Sequence, residues 1–178
     1  YHQYFCTDDS LGLPDNQITH LLRDSKNRFW VGTVNGVCLY TDKDNFRIIP
    51  IEADNKNVRQ ILEDRNGRIF LNTGFQLYAY HPREEKITCV LPEISPGNAF
   101  YAQCHIAPDN NLWVMTSTGL RCYDPSTLQL KESVALSGYP YYSYLHNNEL
   151  WITGNHTLSI FDTRTHSFKP LPQPIAHN

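Results

Sequence analysis

Short apolar segments alternate with polar turns along the whole chain. Segments such as Ile18 to Leu22, Val58 to Leu62 and Tyr101 to Ile106 are rich in β-branched, aromatic or other apolar residues, and each stops at a polar turn. The turns hold Asp, Asn, Ser and Gly, which enter the left-handed backbone region or bond to nearby backbone. No long stretch shows the helical period of apolar residues. The pattern therefore predicts antiparallel hairpins throughout.

The hairpins belong to a repeat that is marked by one large aromatic residue, called the anchor below. The anchors are separated by 40, 43 and 38 residues and are Trp30, Phe70, Trp113 and Trp151. A second aromatic follows each anchor ten residues later: Tyr40, Tyr80, Tyr123 and Phe161. Three residues before each anchor stands a residue that tolerates positive φ: Asn27, Gly67, Asn110 and Asn148. Four copies of one unit therefore follow each other in register.

Each unit of about 40 residues contains four predicted strands, which is typical of a β-propeller blade. We expect an all-β fold with about four blades of four antiparallel strands, in which the eight aromatics pack between blades. The predicted ranges are 1–11 for an outer strand of a preceding blade or an N-terminal tail, 12–51 for blade 1, 52–92 for blade 2, 93–136 for blade 3, and 137–178 for blade 4 with a C-terminal tail.

Composition and charge narrow the function classes. The formal charge of −3 gives no electrostatic footprint for nucleic acid, and no run of 18 apolar residues is present to span a bilayer. Five cysteines make an odd count without a C-x-x-C pair, so we expect no disulfide framework. The chain starts at Tyr1 and has one methionine, Met115, which indicates a fragment of a longer polypeptide whose incomplete ring leaves apolar blade faces open.

Propellers usually bind ligands on the face formed by the loops between the second and third strands and by the connections that enter each first strand. The candidate ligand-binding residues on these loops are Asn35, Phe75, Gln76, Asn98, Tyr139, Tyr141, Asn155 and His156. Amide and hydroxyl groups pair with sugar hydroxyls, and tyrosine rings stack on sugars, although polar loops are also ordinary on any soluble β-protein.

The inner strands hold further polar and aromatic residues. Of the tyrosines at 139, 141, 142 and 144, about two are expected in blade packing. A polar ring around a central channel is predicted from His20, Gln60, Gln103 and Ser143. The eight histidines lack H-x-x-x-H and H-E-x-x-H spacing, and neither a G-x-S-x-G nor a phosphate-loop motif occurs. We therefore expect no metal, no cofactor and no catalytic residue.

Three stretches of the first copy carry a family resemblance: Gly12 to Ile18, Leu22 to Thr33 and Asn35 to Tyr40. They resemble the two-component regulator propeller repeat, with its D-x-x-G-x-(aliphatic)-W-(aliphatic)-G-T centre. The second copy keeps the turn but has Phe70 in place of Trp and Asn72 in place of Gly. The third and fourth copies are recognised mainly by spacing.

The resemblance implies the periplasmic sensor region of a hybrid two-component system receptor of Bacteroidetes. In such receptors the propeller usually has seven blades, so the four found here would be part of a larger ring. The implied function is oligosaccharide sensing and signalling to polysaccharide-utilisation genes, in a parent histidine kinase that acts as a homodimer. The implied partners are an oligosaccharide or other small ligand, the remaining blades and an immunoglobulin-like domain, and this fragment would not itself be an enzyme.

Two other functions stay open at this point. A stand-alone propeller scaffold of the WD type is one, although the Gly-His and Trp-Asp dipeptides of those repeats are missing. A carbohydrate-active propeller enzyme is the other. A sialidase-type aspartate box places Asp five residues before Trp, whereas Asp24 and Asp64 lie six residues before their anchors and Asp109 lies four before.

Overall fold

The computed structural model describes residues 3–6, 12–41, 45–53, 55–94 and 102–171. Within these ranges, sixteen strands form four antiparallel sheets of four strands, and each sheet uses strands that are consecutive in the chain. The sheets are the four blades of a β-propeller. The predicted all-β class and the number of blades are therefore confirmed, while the residue limits between blades stay a prediction.

The strands have the following bounds. Blade 1 contains β1 Ile18–Arg23, β2 Phe29–Thr33, β3 Gly36–Tyr40 and β4 Phe46–Ile49. Blade 2 contains β5 Gln60–Glu63, β6 Ile69–Asn72, β7 Leu77–His81 and β8 Lys86–Leu91. Blade 3 contains β9 Gln103–Ile106, β10 Leu112–Thr116, β11 Gly119–Tyr123 and β12 Leu130–Ala135. Blade 4 contains β13 Pro140–His146, β14 Glu149–Gly154, β15 Thr157–Asp162 and β16 Ser167–Lys169. The first strands of successive blades are neighbours in space.

The first hairpin of each blade turns through one residue with positive φ. In blades 1 to 3 this residue is the predicted one: Asn27 (φ 65°), Gly67 (φ 73°) and Asn110 (φ 68°). In blade 4 it is Asn147 (φ 54°) and not Asn148. The shift has a simple cause, because only two residues separate β13 from β14.

A buried aspartate closes this turn in blades 1 and 2. Oδ1 of Asp24 accepts hydrogen bonds from the backbone nitrogens of Lys26 (3.0 Å) and Arg28 (2.8 Å). Its Oδ2 accepts from Nε of Arg28 (2.6 Å) and from Nε1 of Trp30 (2.9 Å). Asp64 makes the equivalent backbone and guanidinium contacts in blade 2. The carboxylate therefore fixes the turn and, in blade 1, also orients the anchor.

The anchors of blades 1 to 3 each pack against the second aromatic of the following blade. The pairs are Trp30 with Tyr80 (ring centroids 4.9 Å apart), Phe70 with Tyr123 in one buried cluster, and Trp113 with Phe161 (5.0 Å). All six side chains are buried. The edge-on geometry of the two measured pairs suits aromatic rings, which avoid face-to-face stacking. These contacts form the core between consecutive blades.

The two remaining predicted aromatics lie in the first and last blades of the array. Trp151 is half-buried, and Tyr40 is 37% exposed. Among the apolar clusters of the described residues, none joins blade 4 to blade 1. Within the described ranges these two aromatics therefore do not pack between blades, and their predicted place between blades stays a prediction.

Residues 3–6 lie beside blade 1 and belong to no strand. The ring of Tyr4 packs edge-on against Phe46, with centroids 5.3 Å apart, and against Tyr40 at 6.3 Å. The backbone nitrogen of Cys6 donates to Oδ1 of Asn16 at 2.6 Å. The assignment of residues 1–11 to a strand of a preceding blade stays a prediction, and most of that segment is outside the described residues.

Candidate ligand-binding cleft

A cleft of about 500 Å³ opens between the first strands of the blades. Its volume falls within the range of about 300 to 1,000 Å³ that is typical of small-molecule sites. The lining residues come from all four blades and are His20, Arg59, Gln60, Ala102, Gln103, His105, Tyr141, Tyr142, Ser143, Tyr144 and Leu145. The predicted polar ring therefore lies in this cleft.

Three members of that ring tie the first strand of one blade to the first strand of the next. In each case the side chain bonds to the backbone of the next blade. His20 bonds to the backbone of Ile61. Oε1 of Gln60 accepts from the backbone nitrogen of Cys104 (2.9 Å), and Oε1 of Gln103 accepts from that of Ser143 (2.6 Å). The strand register explains the repeat, since each of the three residues lies opposite the position two residues after an anchor. Part of the ring therefore has a structural role.

Blade 4 departs from the register that the sequence predicts. The position two residues after its anchor is Thr153, which lies opposite Tyr142 and not opposite Ser143. The short β13–β14 turn causes the difference, since only two residues separate these strands. Ser143 consequently faces blade 3, where its backbone and hydroxyl groups meet Gln103.

A hydrogen-bonded chain crosses the interface between blades 3 and 4. The hydroxyl of Ser143 donates to Oε1 of Gln103 (2.9 Å), so Nε2 of His105 donates its hydrogen to Oγ of Ser143 (2.8 Å). Burial lowers the pKa of His105 to about 4. An imidazole that donates to the serine and resists protonation is unsuited to remove the serine proton. This pair therefore fits a structural role better than nucleophilic catalysis.

Four tyrosines lie in or just before β13, and they occupy different environments. Tyr141 is 51% exposed, lines the cleft, and lies 6.3 Å from Tyr139 between ring centroids. Tyr142 and Tyr144 also line the cleft, but they share the outer face of blade 4 with Trp151 and are 57% and 56% exposed. None of the four tyrosines is fully buried, so the expectation that about two of them lie in blade packing is not met in the described structure.

Of the eight predicted ligand-binding residues, Tyr141 lines the cleft. Asn98 lies outside the described residues. The structure places the others away from the cleft lining: Asn35, Phe75, Gln76, Tyr139, Asn155 and His156. Asn35, Asn155 and His156 are exposed in the turns that follow β2 and β14. Oε1 of Gln76 accepts a hydrogen bond from the hydroxyl of Tyr78 at 2.7 Å, which is a local contact.

Sequence reasoning missed Arg59 and His105 as residues of this cleft. Arg59 comes directly before the ring member Gln60, and its backbone nitrogen donates to the carbonyl oxygen of Asn72 at 2.8 Å. The matching positions in blades 1 and 3 are Thr19 and Ala102, which carry no charge. The one sequence signal for Arg59 was therefore a basic residue at a position that is uncharged in these two blades.

A larger cavity of about 650 Å³ lies on the outer face of blade 1. It is mainly apolar, and its lining includes Leu21, Val31 and Tyr40. The matching residues of blade 2, such as Ile61 and Leu71, are buried between blades. We therefore interpret this cavity as an uncovered packing surface and not as the ligand site.

The described residues contain free thiols but no cluster of metal ligands. All five cysteines are free thiols, and burial raises the pKa of Cys38 and of Cys104 to about 12. In the part of the chain that the structure describes, no group of three or more His, Cys, Asp or Glu side chains is placed to hold a metal ion. Within the same ranges, no helix has the length and apolar character needed to cross a membrane.

The fold is shared with several solved structures. The extracellular domain of a hybrid two component system of B. thetaiotaomicron superposes with a TM-score of 0.70 at 19% identity, over 96% of this chain and 24% of that one. Virginiamycin B lyase of Staphylococcus aureus gives 0.69 at 17% identity, over 91% and 58%. An auxiliary nutrient binding protein of Bacteroides ovatus gives 0.64 at 14% identity, over 90% and 44%.

The chain thus spans between about a quarter and three fifths of the length of these solved chains. Among curated proteins, none matches the sequence significantly. The family described as two component regulator propeller matches residues 12–35. This segment contains the Asp24 turn and the anchor Trp30, as the repeat resemblance predicts. The chain is a four-bladed β-propeller array, and its first blade is similar to the two component regulator propeller family over residues 12–35.

Proposed function

We propose that the chain is a ligand-sensing part of the extracytoplasmic, periplasmic region of a hybrid two-component sensor histidine kinase. The observation that carries the proposal is the regulator propeller repeat at residues 12–35. Extracellular domains of two such systems share the fold, which agrees with a location outside the cytoplasm. The receptor acts as a homodimer and signals to genes for polysaccharide use.

The proposed ligand is an oligosaccharide that binds in the cleft between the first strands of the blades, called the axial cleft below. The cleft offers amide and hydroxyl groups beside the exposed ring of Tyr141, and this combination suits a sugar. The half-enclosed geometry also favours a small ligand over a protein surface. A protein scaffold would be expected to use a broad exposed face, as in WD propellers.

The remaining blades of a larger, seven-bladed ring and an immunoglobulin-like domain are the proposed partners within the same polypeptide. The proposal of additional blades is supported by the outer faces of blades 1 and 4, which no described blade covers. Tyr40 has the same place in blade 1 that Tyr80 has in blade 2, where an anchor from the blade before covers it. A preceding blade would therefore bring its own anchor onto Tyr40.

A propeller lyase is the second candidate, because virginiamycin B lyase shares the fold. The described cleft gives this candidate little support. His105 donates to Ser143, and its low pKa makes the imidazole a weak base at neutral pH. The proposal is therefore a binding function without turnover.

The test is titration calorimetry of the chain against neutral and acidic oligosaccharides of two to six sugars, followed by chromatography of each mixture. We expect saturable binding of at least one oligosaccharide and no new product. Binding with cleavage would replace the sensor with an enzyme. The absence of binding to every oligosaccharide would contradict the sensing function.

Two matched variants locate the site. Tyr141→Ala removes an exposed ring in the cleft, whereas Asn155→Ala removes an exposed amide on a predicted binding loop outside it. We expect Tyr141→Ala to weaken binding about tenfold or more, which matches the typical worth of a stacked aromatic ring. Asn155→Ala should leave the affinity unchanged. The reverse result would move the site to the loops.

A further inference from the structure

We propose that the outer face of blade 4 packs on the outer face of blade 1 of a second copy, so that two copies of the chain close into one ring of eight blades. The outer face of blade 1 is the sheet face that holds Leu21 and Val31, and the outer face of blade 4 holds Trp151 and Leu158. The inference goes beyond the proposed sensing function and does not depend on it. It follows from the place of each exposed residue in the repeat and from the charges beside the two faces.

The outer face of blade 4 repeats positions that are buried between blades elsewhere in the chain. Leu158 lies opposite the position two residues after the anchor, as do Val37 in blade 1 and Leu120 in blade 3. Val37 and Leu120 are fully buried in apolar clusters with the following blade, whereas Leu158 is 44% exposed. This face is therefore the half of an interface that a following blade covers in the rest of the array.

The outer face of blade 1 is the other half of such an interface. Leu21 is 55% exposed, and its counterparts in the strand register are Ile61 of blade 2 and Cys104 of blade 3. Both counterparts are buried in clusters that contain the anchor of the preceding blade. The ring of Tyr4 contacts this face but leaves Leu21 exposed. The cavity of about 650 Å³ on this face is thus the place where an anchor from another blade is expected.

A second copy carries the half that each face lacks. The described blades leave one anchor-bearing face uncovered on blade 4 and one receiving face uncovered on blade 1. Two faces of the same kind would not reproduce the pairing of an anchor with the second aromatic of the following blade. The contact is therefore head to tail, and two copies with two such contacts form a closed ring. Its eight blades lie within the usual range of about four to eight for propellers.

The charges beside the two faces have opposite signs. Among the described residues that line the blade 1 cavity, Arg23 is the one with a permanent charge, and its Nε donates to Oδ1 of Asn27 at 2.7 Å. The blade 4 face holds the carboxylates of Glu149 and Asp162, and Lys169 bonds to both, which leaves one negative charge in excess. Arg23 and Glu149 each lie beside the first turn of their blade. Packing of the two faces therefore brings opposite charges to the same end of the contact.

Sedimentation equilibrium of the 178-residue chain measures the pairing. We expect one reversible step from the 20.6 kDa monomer to the dimer as the protein concentration rises. A chain that stays monomeric at every concentration would overturn the pairing and favour further blades of the same polypeptide as the cover of both faces. A series of species larger than the dimer would overturn the closed ring of two copies.

Three leucines that are roughly half exposed provide matched variants. Leu21→Arg places a charge on the blade 1 face, Leu158→Arg places one on the blade 4 face, and Leu130→Arg, on the outer strand of blade 3, is the control. We expect Leu21→Arg and Leu158→Arg each to raise the dissociation constant of the dimer about a hundredfold or more, because the new charge would be buried without a partner. Leu130→Arg should leave it unchanged. Circular dichroism checks that each variant keeps its fold.

A mixture of the two blocked variants identifies which faces meet. Neither variant can form the contact alone, since every copy has the same blocked face. In the mixture, the intact blade 4 face of Leu21→Arg meets the intact blade 1 face of Leu158→Arg, so a one-to-one dimer should form through a single contact. If only one of the two substitutions weakened association, like faces would be paired and the head-to-tail contact would be wrong. A mixture that associates no more than either variant alone would overturn it as well.

Discussion

The same aromatic position of the repeat has two different environments at neighbouring places in the molecule. Trp113 of blade 3 is fully buried, with its ring 5.0 Å from that of Phe161 in blade 4. Trp151 of blade 4 occupies the matching position and is only half-buried, because none of the described blades covers it. The two residues have the same chemistry and the same place in the sheet. They differ in whether another described blade packs on them.

This difference shows that a blade is not a complete folding unit. A four-stranded sheet has two apolar faces, and it needs a neighbour on each to bury them. The interfaces between blades 1 and 2, 2 and 3, and 3 and 4 meet that need. The stability of the array should therefore depend on residues at these three interfaces far more than on identical residues at its ends.

Removing a buried anchor should have the largest effect. Trp113→Ala leaves a cavity between blades 3 and 4, and large-to-small changes of this kind cost about 3 to 5 kcal/mol. Urea unfolding followed by circular dichroism measures the loss. If the unfolding midpoint of Trp113→Ala moved no more than that of Trp151→Ala, the assignment of Trp113 to the core between blades would be wrong.

Acid should weaken the interface of blades 3 and 4 through His105. Its folded pKa of about 4 lies below the unfolded value of 6.5, so the unfolded chain takes up a proton first as the pH falls. Stability from this group is thus complete above pH 6.5 and declines toward pH 4, by about 3 kcal/mol for the one residue. Hydrogen bonds and Lys169 lower the pKa of Asp162, whose contribution is lost only at still lower pH.

Unfolding free energies at pH 7.0, 6.0 and 5.0 isolate this effect. His105→Gln removes the titrating group while it keeps a polar side chain beside Ser143, and the decline between these values should become shallower. His20, whose pKa burial also lowers, accounts for a part of the remaining slope. An unchanged slope in His105→Gln would show that His105 is not buried in its neutral form.

The turn aspartates should differ by an amount that follows their burial. The Asp24 side chain is fully buried and accepts four hydrogen bonds. Asp24→Ala leaves these donors without their acceptor, so the free energy of unfolding should fall by about 2 kcal/mol. Asp109 is exposed, and its near neighbour Asn111 is its hydrogen-bond partner within the described ranges, which predicts a loss below about 1 kcal/mol for Asp109→Ala. The pair is compared by urea unfolding, and equal losses would contradict the role assigned to Asp24.

The fold was predictable because its signals are local and repeated. A positive-φ turn, an anchor and a second aromatic recur in each unit, and their agreement across four copies fixes the register of the strands. The exception in blade 4 has a local cause as well. The turn between β13 and β14 has two residues, against five in the other blades, which moved the positive φ to Asn147 and brought Tyr142, not Ser143, opposite Thr153.

The cleft was less predictable because it depends on which side chains converge from different blades. Tyr141 was expected from its place among tyrosines, whereas Arg59 gives no signal except its charge at one inner position. The side chain of Gln60 and that of Gln103 look equivalent in the repeat. The structure separates them, because the Gln60 amide bonds to Asn72 and Cys104, whereas Oε1 of Gln103 accepts from Ser143 of the next blade.

A smaller change in stability is expected at the end of the array. Trp151→Ala removes a half-buried ring from a face that no described blade covers, so the loss in unfolding free energy should be about 1 to 2 kcal/mol, below that of Trp113→Ala. The same face also exposes Tyr142, Tyr144 and Leu158, and apolar surface of this kind favours association. Light scattering should show self-association of the native chain at high concentration and less of it in Trp151→Ala. A native chain that stays monomeric at every concentration would mean that the outer faces are satisfied without a partner, and the difference between Trp113 and Trp151 would then reflect local packing alone.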